Sequence, residues 1–76
     1  MKTSKYLTKY EETRVIGLRG LQISNGAPIL VETNGETDPL RIARLELRNR
    51  VLPMTIRRTL PDGTIEDVRI NDLIVR

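Results

Sequence analysis

The chain has 76 residues, enough for one domain at most, and a domain of this size buries only about 60% of its unfolded surface. It contains no cysteine and no histidine, which excludes a disulfide framework, a zinc-finger site and a histidine general base. The net charge of +3 comes from 13 basic and 10 acidic residues, and ten of the basic residues are arginine. Arginine pairs well with carboxylate or phosphate. Tyr6 and Tyr10 are the only aromatic residues, so the core must be aliphatic.

The first seven residues, MKTSKYL, form a short basic lead that we expect to be flexible in the free chain. The lead contains no apolar stretch of the kind found in secretory signals. No apolar run in the chain approaches the roughly 20 residues that span a bilayer. We therefore expect a soluble protein with no membrane partner, in which residues 8–76 form the domain.

A helix is predicted directly after this lead. Thr8 and Glu11 form the T-x-x-E pattern of a capping box, in which each side chain satisfies the backbone N–H of the other residue. The helix should run from about Lys9 to Ser24. The Asn-Gly pair at residues 25–26 predicts a left-handed end, and Pro28 supports it.

A second helix is predicted after a short connection. Residues 28–32 (PILVE) are typical of a short extended segment, and residues 33–37 (TNGET) of a turn. Asp38 can cap a helix whose first residue is Pro39, where the missing N–H has no cost. This helix should reach about Arg50.

The remaining sequence predicts a hairpin. Apolar residues alternate through residues 52–60, the return strand over residues 64–70 has Val68 and Ile70 on one face, and PDG at residues 61–63 forms the turn. One helical turn, capped by Asn71, should close the chain. The predicted fold class is α+β: two helices joined by a short extended segment, followed by a C-terminal β-hairpin.

The first helix has two apolar faces separated by small residues. At about 100° per residue, one face carries Tyr10, Leu18 and Leu21, the opposite face carries Val15, Ile16 and Ile23, and a stripe of small residues carries Thr13, Gly17, Gly20 and Ser24. A surface helix normally has one apolar stripe. Each glycine costs a helix about 1 kcal/mol relative to alanine. We therefore expect a larger partner chain to pack here; the alternative is that the second helix of this chain covers the stripe.

The second helix shows a weaker form of the same pattern. Its predicted core stripe is Leu40, Ala43 and Leu47, whereas Ile42 and Leu45 point elsewhere. Beside them lies a basic stripe at i, i+3 and i+7 formed by Arg41, Arg44 and Arg48. Surplus apolar surface flanked by arginine is typical of a partner-binding surface.

No catalytic constellation is present. The two serines have no histidine to activate them, and neighbouring carboxylates, such as Glu66 and Asp67 on a predicted strand, point to opposite faces. We therefore predict no catalytic residue, no cofactor and no metal site. A free-standing basic nucleic-acid-binding module remains an alternative because Arg57 and Arg58 adjoin a turn. Against it, the predicted strands carry no stacking aromatic residue, and adjacent arginines on a strand face opposite ways.

Three ordered blocks of the sequence resemble one protein family. They are TKYEETRVIGxRxLQIxxGAP, then ETDPLRIAxxEL, then LPxTIRRxLPDG followed by ED and LI. They run from about Thr8 to Ile74, nearly the whole chain. The chain is similar to the small common subunit of multisubunit RNA polymerases, a family that includes archaeal subunit K, the sixth shared eukaryotic subunit and the distantly related bacterial omega subunit.

The resemblance implies a noncatalytic subunit of DNA-directed RNA polymerase, which clasps and stabilises the largest subunit and promotes enzyme assembly during transcription. Its partners would be the largest subunit and the rest of the polymerase core, with DNA reached only through the complex. The short length and the VLPMTIRR block favour an archaeal, cytoplasmic protein, whereas GETDP is also typical of eukaryotic members, which would be nuclear. A large DNA virus is a further alternative source. The long acidic N-terminal extension of eukaryotic members is not in this sequence, so its contacts with transcription factors are not expected.

The resemblance and the stripe of small residues together give the predicted partner-binding residues. From the first block they are Thr8, Tyr10, Glu11, Arg14, Gly17, Arg19, Gly20, Leu21, Gln22, Gly26 and Pro28; from the second, Pro39, Ile42 and Glu46; and from the third, Arg57 and Arg58.

Overall fold

A computed structural model describes residues 2–76 and has the predicted order of elements. Helix α1 spans Lys9–Ser24 and helix α2 spans Pro39–Arg48, and they are followed by strand β1 at Thr55–Thr59 and strand β2 at Ile65–Arg69. A 3-10 turn at Ile70–Asp72 follows β2 directly. The α+β prediction of two helices and a C-terminal hairpin is confirmed.

Local signals account for both ends of α1. The N–H of Thr8 donates to Glu11 Oε1 at 3.0 Å, and the N–H of Glu11 donates to Thr8 Oγ1 at 3.0 Å, so the capping box is complete. Gly26 then adopts φ of 93°, a left-handed conformation that glycine tolerates without steric cost. The predicted bounds of α1 are confirmed.

The connection between the helices is irregular and contains no strand. Its turn lies at Asn34 and Gly35, which both adopt positive φ. The N–H of Leu40 donates to Asp38 Oδ1 at 3.0 Å and so caps α2, as predicted. The helix ends at Arg48, two residues before the predicted end, because Arg50 adopts φ of 56°, which a right-handed helix excludes.

The hairpin has a single antiparallel register, in which Thr55 lies opposite Arg69 and Arg57 opposite Asp67. Its turn contains Gly63 at φ of 87°. Both strands are shorter than predicted, with 5 residues each. The predicted cap at Asn71 is wrong: the final turn starts after Arg69, has no side-chain cap and contains Asn71 itself.

The core is aliphatic and lies between α1, α2 and the hairpin. Its buried members are Leu7, Val15, Ile16, Ala43, Leu47, Leu52, Val68, Ile70 and Leu73. The predicted role of Leu40 is wrong, since its side chain is half exposed, and Ile42 is buried instead. Compared with the predicted core stripe, the buried side of α2 is rotated about the helix axis, away from Leu40 and towards Ile42. It also contains Glu46, which is fully buried.

The basic lead packs against the other end of the chain. The N–H of Leu7 donates to the carbonyl of Ile74 at 2.9 Å, and the N–H of Ile74 donates to the carbonyl of Lys5 at 2.8 Å. Because Leu7 is also a core residue, residues 5–7 pack against the domain predicted for residues 8–76. The flexibility of the lead in the free chain stays a prediction, and Met1 lies outside the described residues.

The two glycines of α1 have different surroundings. A Cβ atom at Gly20 would lie 2.8 Å from Leu40 Cδ2 and 3.6 Å from the backbone nitrogen of Leu40. At Gly17 such an atom would meet nothing within 4 Å. The second helix of this chain therefore covers the stripe at Gly20 and leaves it open at Gly17.

We expect the same substitution to have opposite effects at these two positions. Gly20→Leu should lower the free energy of unfolding by about 1–3 kcal/mol, because the new side chain forces the helices apart. Gly17→Leu should leave that free energy unchanged or raise it by up to about 1 kcal/mol, since leucine favours helix and meets no neighbour. Urea unfolding followed by circular dichroism measures both variants. Equal losses of stability would show that Gly17 is also a packing position.

Candidate partner-binding surface

The second apolar face predicted for α1 lies on the surface of the protein. Tyr10, Leu18 and Leu21 are 72%, 47% and 59% exposed, whereas Val15 and Ile16 on the opposite face are buried. The hydroxyl of Tyr10 accepts a hydrogen bond from Arg14 Nη1 at 3.4 Å, one turn further along α1. Three large apolar side chains on one side of the helix are therefore uncovered by this chain, with the exposed Arg14 among them. We call Tyr10, Leu18 and Leu21 the exposed face of α1.

A groove of about 700 Å³ runs between α1 and β1. Tyr10 and Leu18 of the exposed face line one wall, and Met54 begins the other, which continues along β1. Thr3 and Ser4 of the lead also line the groove. The exposed face of α1 thus continues into a concave surface that reaches the hairpin.

Arg58 connects three parts of the chain beside this groove. Its guanidinium donates to both carboxylate oxygens of Glu11, at 2.9 and 2.8 Å, and to the hydroxyl of Thr3 at 2.9 Å. It also donates to the carbonyls of Ser4 and Tyr6 in the lead. The hydrogen bond from Arg58 lowers the pKa of Glu11 from 4.5 to about 2, although partial burial opposes the shift. The Glu11–Arg58 pair therefore joins α1, β1 and the lead.

A second ion pair lies inside the protein, between the two helices. Arg19 Nε and Nη2 donate to Glu46 Oε1 and Oε2 at 2.5 and 3.0 Å, and both residues are buried. Burial alone would raise the pKa of Glu46, but hydrogen bonds from Arg19 and from the Leu30 N–H hold it below its usual value. Arg19 Nη2 also donates to the carbonyl of Pro28 at 2.8 Å. The pair thus holds the interhelical connection against both helices.

The predicted partner-binding residues divide by position. Those exposed are Thr8, Tyr10, Arg14, Gly17, Leu21, Gln22, Gly26, Pro28 and Arg57; Glu11, Pro39 and Arg58 are partly buried; and Arg19, Gly20, Ile42 and Glu46 are buried within this chain. The four buried residues make intrachain contacts, so the structure places them in internal packing and not on the surface.

Two surface residues were missing from the predicted set. Leu18 belongs to the exposed face and lines the groove, and its place in the second apolar face was the signal that could have included it. Met54 lines the groove directly before β1, where its period-two position predicts only a half-buried side chain.

The described residues can also be compared with what a metal site and a membrane-spanning helix require. Within residues 2–76, no group of three or more acidic side chains is arranged to hold a metal ion. The same part of the chain has no helix long and apolar enough to cross a membrane.

A small α+β domain whose first helix keeps three large apolar side chains outside its own core is typical of a subunit that packs against other chains. Comparison with known sequences specifies the class. The chain belongs to the RNA polymerase Rpb6 family, whose model matches residues 2–54. The predicted resemblance to the small common polymerase subunit is confirmed.

Individual relatives are similar along almost the whole chain. It is 58% identical over 74 residues to "DNA-directed RNA polymerases II and V subunit 6B" of Arabidopsis thaliana, covering 97% of this chain and 51% of that protein. It is 55% identical over 73 residues to "DNA-directed RNA polymerases I, II, and III subunit RPABC2" of Saccharomyces cerevisiae, covering 96% and 47%. A probable RPABC2 subunit of Caenorhabditis elegans is 58% identical over 65 residues, covering 86% and 47%.

Two facts qualify what these relatives imply. The chain spans about half the length of the curated relatives that it matches. The relatives come from a plant, a yeast and a nematode, so they do not support the archaeal origin that the short length and the VLPMTIRR block favoured.

Proposed function

We propose that the chain is a noncatalytic subunit of a DNA-directed RNA polymerase. Membership of the Rpb6 family and the relatives named as shared polymerase subunits support this proposal. The observation that carries it in the structure is the exposed face of α1, because a small domain gains nothing by leaving such apolar area in water. A much larger chain can cover it.

Within this proposal, the exposed face of α1 binds the largest subunit of the polymerase. The contact stabilises that subunit and promotes assembly of the enzyme, and DNA is reached only through the complex. Gly17 lies beside the face, with open space around it, so the partner's backbone can approach α1 closely there. Since the relatives are eukaryotic, the nucleus is the compartment that we propose, in preference to an archaeal cytoplasm.

The alternative of a free-standing nucleic-acid-binding module gains no support from the arginines beside the turn. Arg58 is occupied by Glu11 and the lead, and Arg57 pairs with Asp67 at 3.0 Å. Their side chains point to opposite sides of β1, as predicted, with 10% and 69% of the side chain exposed. The two arginines therefore do not form one phosphate-binding patch.

A pull-down tests the proposal directly. Tagged protein is incubated in a eukaryotic nuclear extract, the beads are washed at high salt, and the retained chains are identified by mass spectrometry. Contacts with phosphates weaken steeply as salt rises, whereas burial of an apolar face does not. Retention of the two large polymerase subunits at high salt is expected. Recovery of nucleic acid alone, and only at low salt, would overturn the proposal in favour of the binding module.

Gly17→Leu should weaken the association with polymerase by about 10- to 100-fold, because the leucine side chain would clash with the partner backbone that approaches α1 at this position. The free variant should fold normally because the position is open. Gly17→Ala is the matched control: it raises helix propensity in the same direction but adds only one methyl group, so its binding should remain near wild type. Wild-type affinity of the leucine variant would show that the partner does not approach α1 at Gly17.

A further inference from the structure

Strand β1 has one edge that no other strand of the described chain covers. Within residues 2–76, the sheet contains only β1 and β2. The N–H of Ile70 donates to the carbonyl of Met54 at 3.0 Å, and the N–H of Leu60 donates to the carbonyl of Thr64 at 2.8 Å. Residues in an antiparallel ladder alternate between hydrogen-bonded and non-hydrogen-bonded pairs. The even-numbered residues of β1 therefore direct their backbone N–H and carbonyl groups towards β2.

The odd-numbered residues therefore direct their backbone N–H and carbonyl groups away from the hairpin. These are Thr55, Arg57 and Thr59. Among residues 2–76, no backbone group outside the hairpin hydrogen-bonds to them. An uncovered edge of this kind is a template for pairing with another extended segment.

This edge opens onto the groove beside α1. All five successive residues of β1 line the groove, which means that the edge of the strand borders it and not one of its two faces. Tyr10 and Leu18 form the facing apolar wall. The volume of about 700 Å³ lies within the range of established small-molecule sites, roughly 300–1,000 Å³.

The charges around the groove favour an acidic occupant. Arg14 lines it and has no ion-pair partner among residues 2–76, whereas Arg57 is paired with Asp67, and the one carboxylate among the lining residues, Glu11, is bound by Arg58. A second copy of this chain is a poor occupant. If two β1 edges paired antiparallel about Arg57, this residue would face its own copy, and like charges directly opposite one another destabilise a pair of strands.

We propose that the edge of β1 is a strand-addition site for an extended segment of a neighbouring polymerase chain. The segment hydrogen-bonds to the backbone of Thr55, Arg57 and Thr59. Its alternate side chains are apolar and lie against Tyr10 and Leu18, and an acidic side chain lies near Arg14. This inference rests on the proposed function and specifies a second contact, through backbone hydrogen bonds, beside the exposed face of α1.

Thr55→Pro tests the hydrogen bonds at this edge. Proline has no N–H, so it removes an outward donor and leaves the ladder to β2 in place. Recovery of polymerase from nuclear extract should fall about five- to tenfold, as expected for a lost backbone hydrogen bond and a disturbed pairing. Thr55→Ala is the matched control, because it loses the same side chain and keeps the N–H, and it should recover polymerase at the wild-type level. Circular dichroism of both free variants shows whether the hairpin is kept.

A photo-crosslinking residue at Thr59, in an otherwise wild-type chain, gives a readout that does not depend on the stability of the proline variant. The expected adduct is an acidic and apolar segment of another polymerase chain. An adduct with a helix, or no adduct in an assembled enzyme, would overturn strand addition. So would equal recovery of polymerase by the wild type and a folded Thr55→Pro variant, although the proposed function would then stand. A wild-type dimer that Thr55→Pro dissociates would make a second copy the occupant, and no polymerase recovery by the wild type would overturn both proposals.

Discussion

Glu46→Gln is expected to lower the free energy of unfolding by about 3–5 kcal/mol, because it leaves the guanidinium of Arg19 buried without its countercharge. Removing one member of a buried ion pair costs more than the pair itself contributes, since the remaining charge has lost its hydration. Here the loss extends further. Glu46 Oε2 also accepts from the N–H of Leu30 at 2.8 Å, so the interhelical connection loses part of its anchor. Small domains have only about 5–15 kcal/mol in total, and this variant should be partly unfolded at 37 °C.

Urea unfolding at neutral pH, followed by circular dichroism, measures the loss. Asp67→Asn is the matched control, because it removes the carboxylate of the Arg57–Asp67 pair, whose side chains are 69% and 51% exposed. An exposed pair contributes at most about 1 kcal/mol. The double variant Arg19→Met with Glu46→Gln should lose less than the sum of the single losses, since it removes both charges. A loss below about 1 kcal/mol for Glu46→Gln would show that water reaches the pair.

The elements of this fold follow from local signals. The capping box at Thr8 and Glu11 and the proline at the start of α2 each act over a few residues, so they specify helix ends without knowledge of the rest of the fold. Period two along β1 placed Arg57 and Arg58 on opposite sides of the strand, as the structure has them. The exposed face of α1 was also predictable, because helix geometry alone separates it from Val15 and Ile16.

The contacts that hold these elements together could not be predicted in the same way. Arg19 and Glu46 are 27 residues apart and carry charges, so each is expected on the surface when considered alone. Their burial turns α2 about its axis and brings Ile42 inside, while Leu40 moves to the edge above Gly20. The pairing of the lead with Ile74 joins the two ends of the chain, and no periodic pattern reports it.

The same distinction separates the two kinds of predicted binding residue. Family motifs combine positions that contact a partner with positions that shape the domain, and the sequence does not mark which is which. Arg19, Gly20 and Glu46 fall in the second group, since their neighbours are α2 and the interhelical connection. Tyr10, Leu21 and Gly17 remain open and available to a partner.

Acid is expected to weaken the fold chiefly through Glu11. Its pKa in the folded chain is about 2, below the ordinary value of 4.5, so the folded state binds its proton less readily than the unfolded chain does. This contribution to stability is fully present above pH 4.5 and is lost as the pH falls towards 2. The shift corresponds to about 3 kcal/mol. Glu46 adds to the loss in the same direction, because its pKa is also lowered.

Two variants isolate the Glu11 contribution from opposite ends of the same ion pair. Glu11→Gln keeps a side-chain oxygen for the capping box but has no charge to titrate, and Arg58→Met removes the group that lowers the pKa. Both should be less stable than the wild type at neutral pH and should lose less stability between pH 4.5 and 2. Urea unfolding across this range measures the slope, and NMR titration of the Glu11 carboxyl gives its pKa directly. A wild-type carboxyl that titrates near 4.5 would show that Arg58 does not hold Glu11 in solution, and the lead, which Arg58 also binds, would then lose its tie to α1.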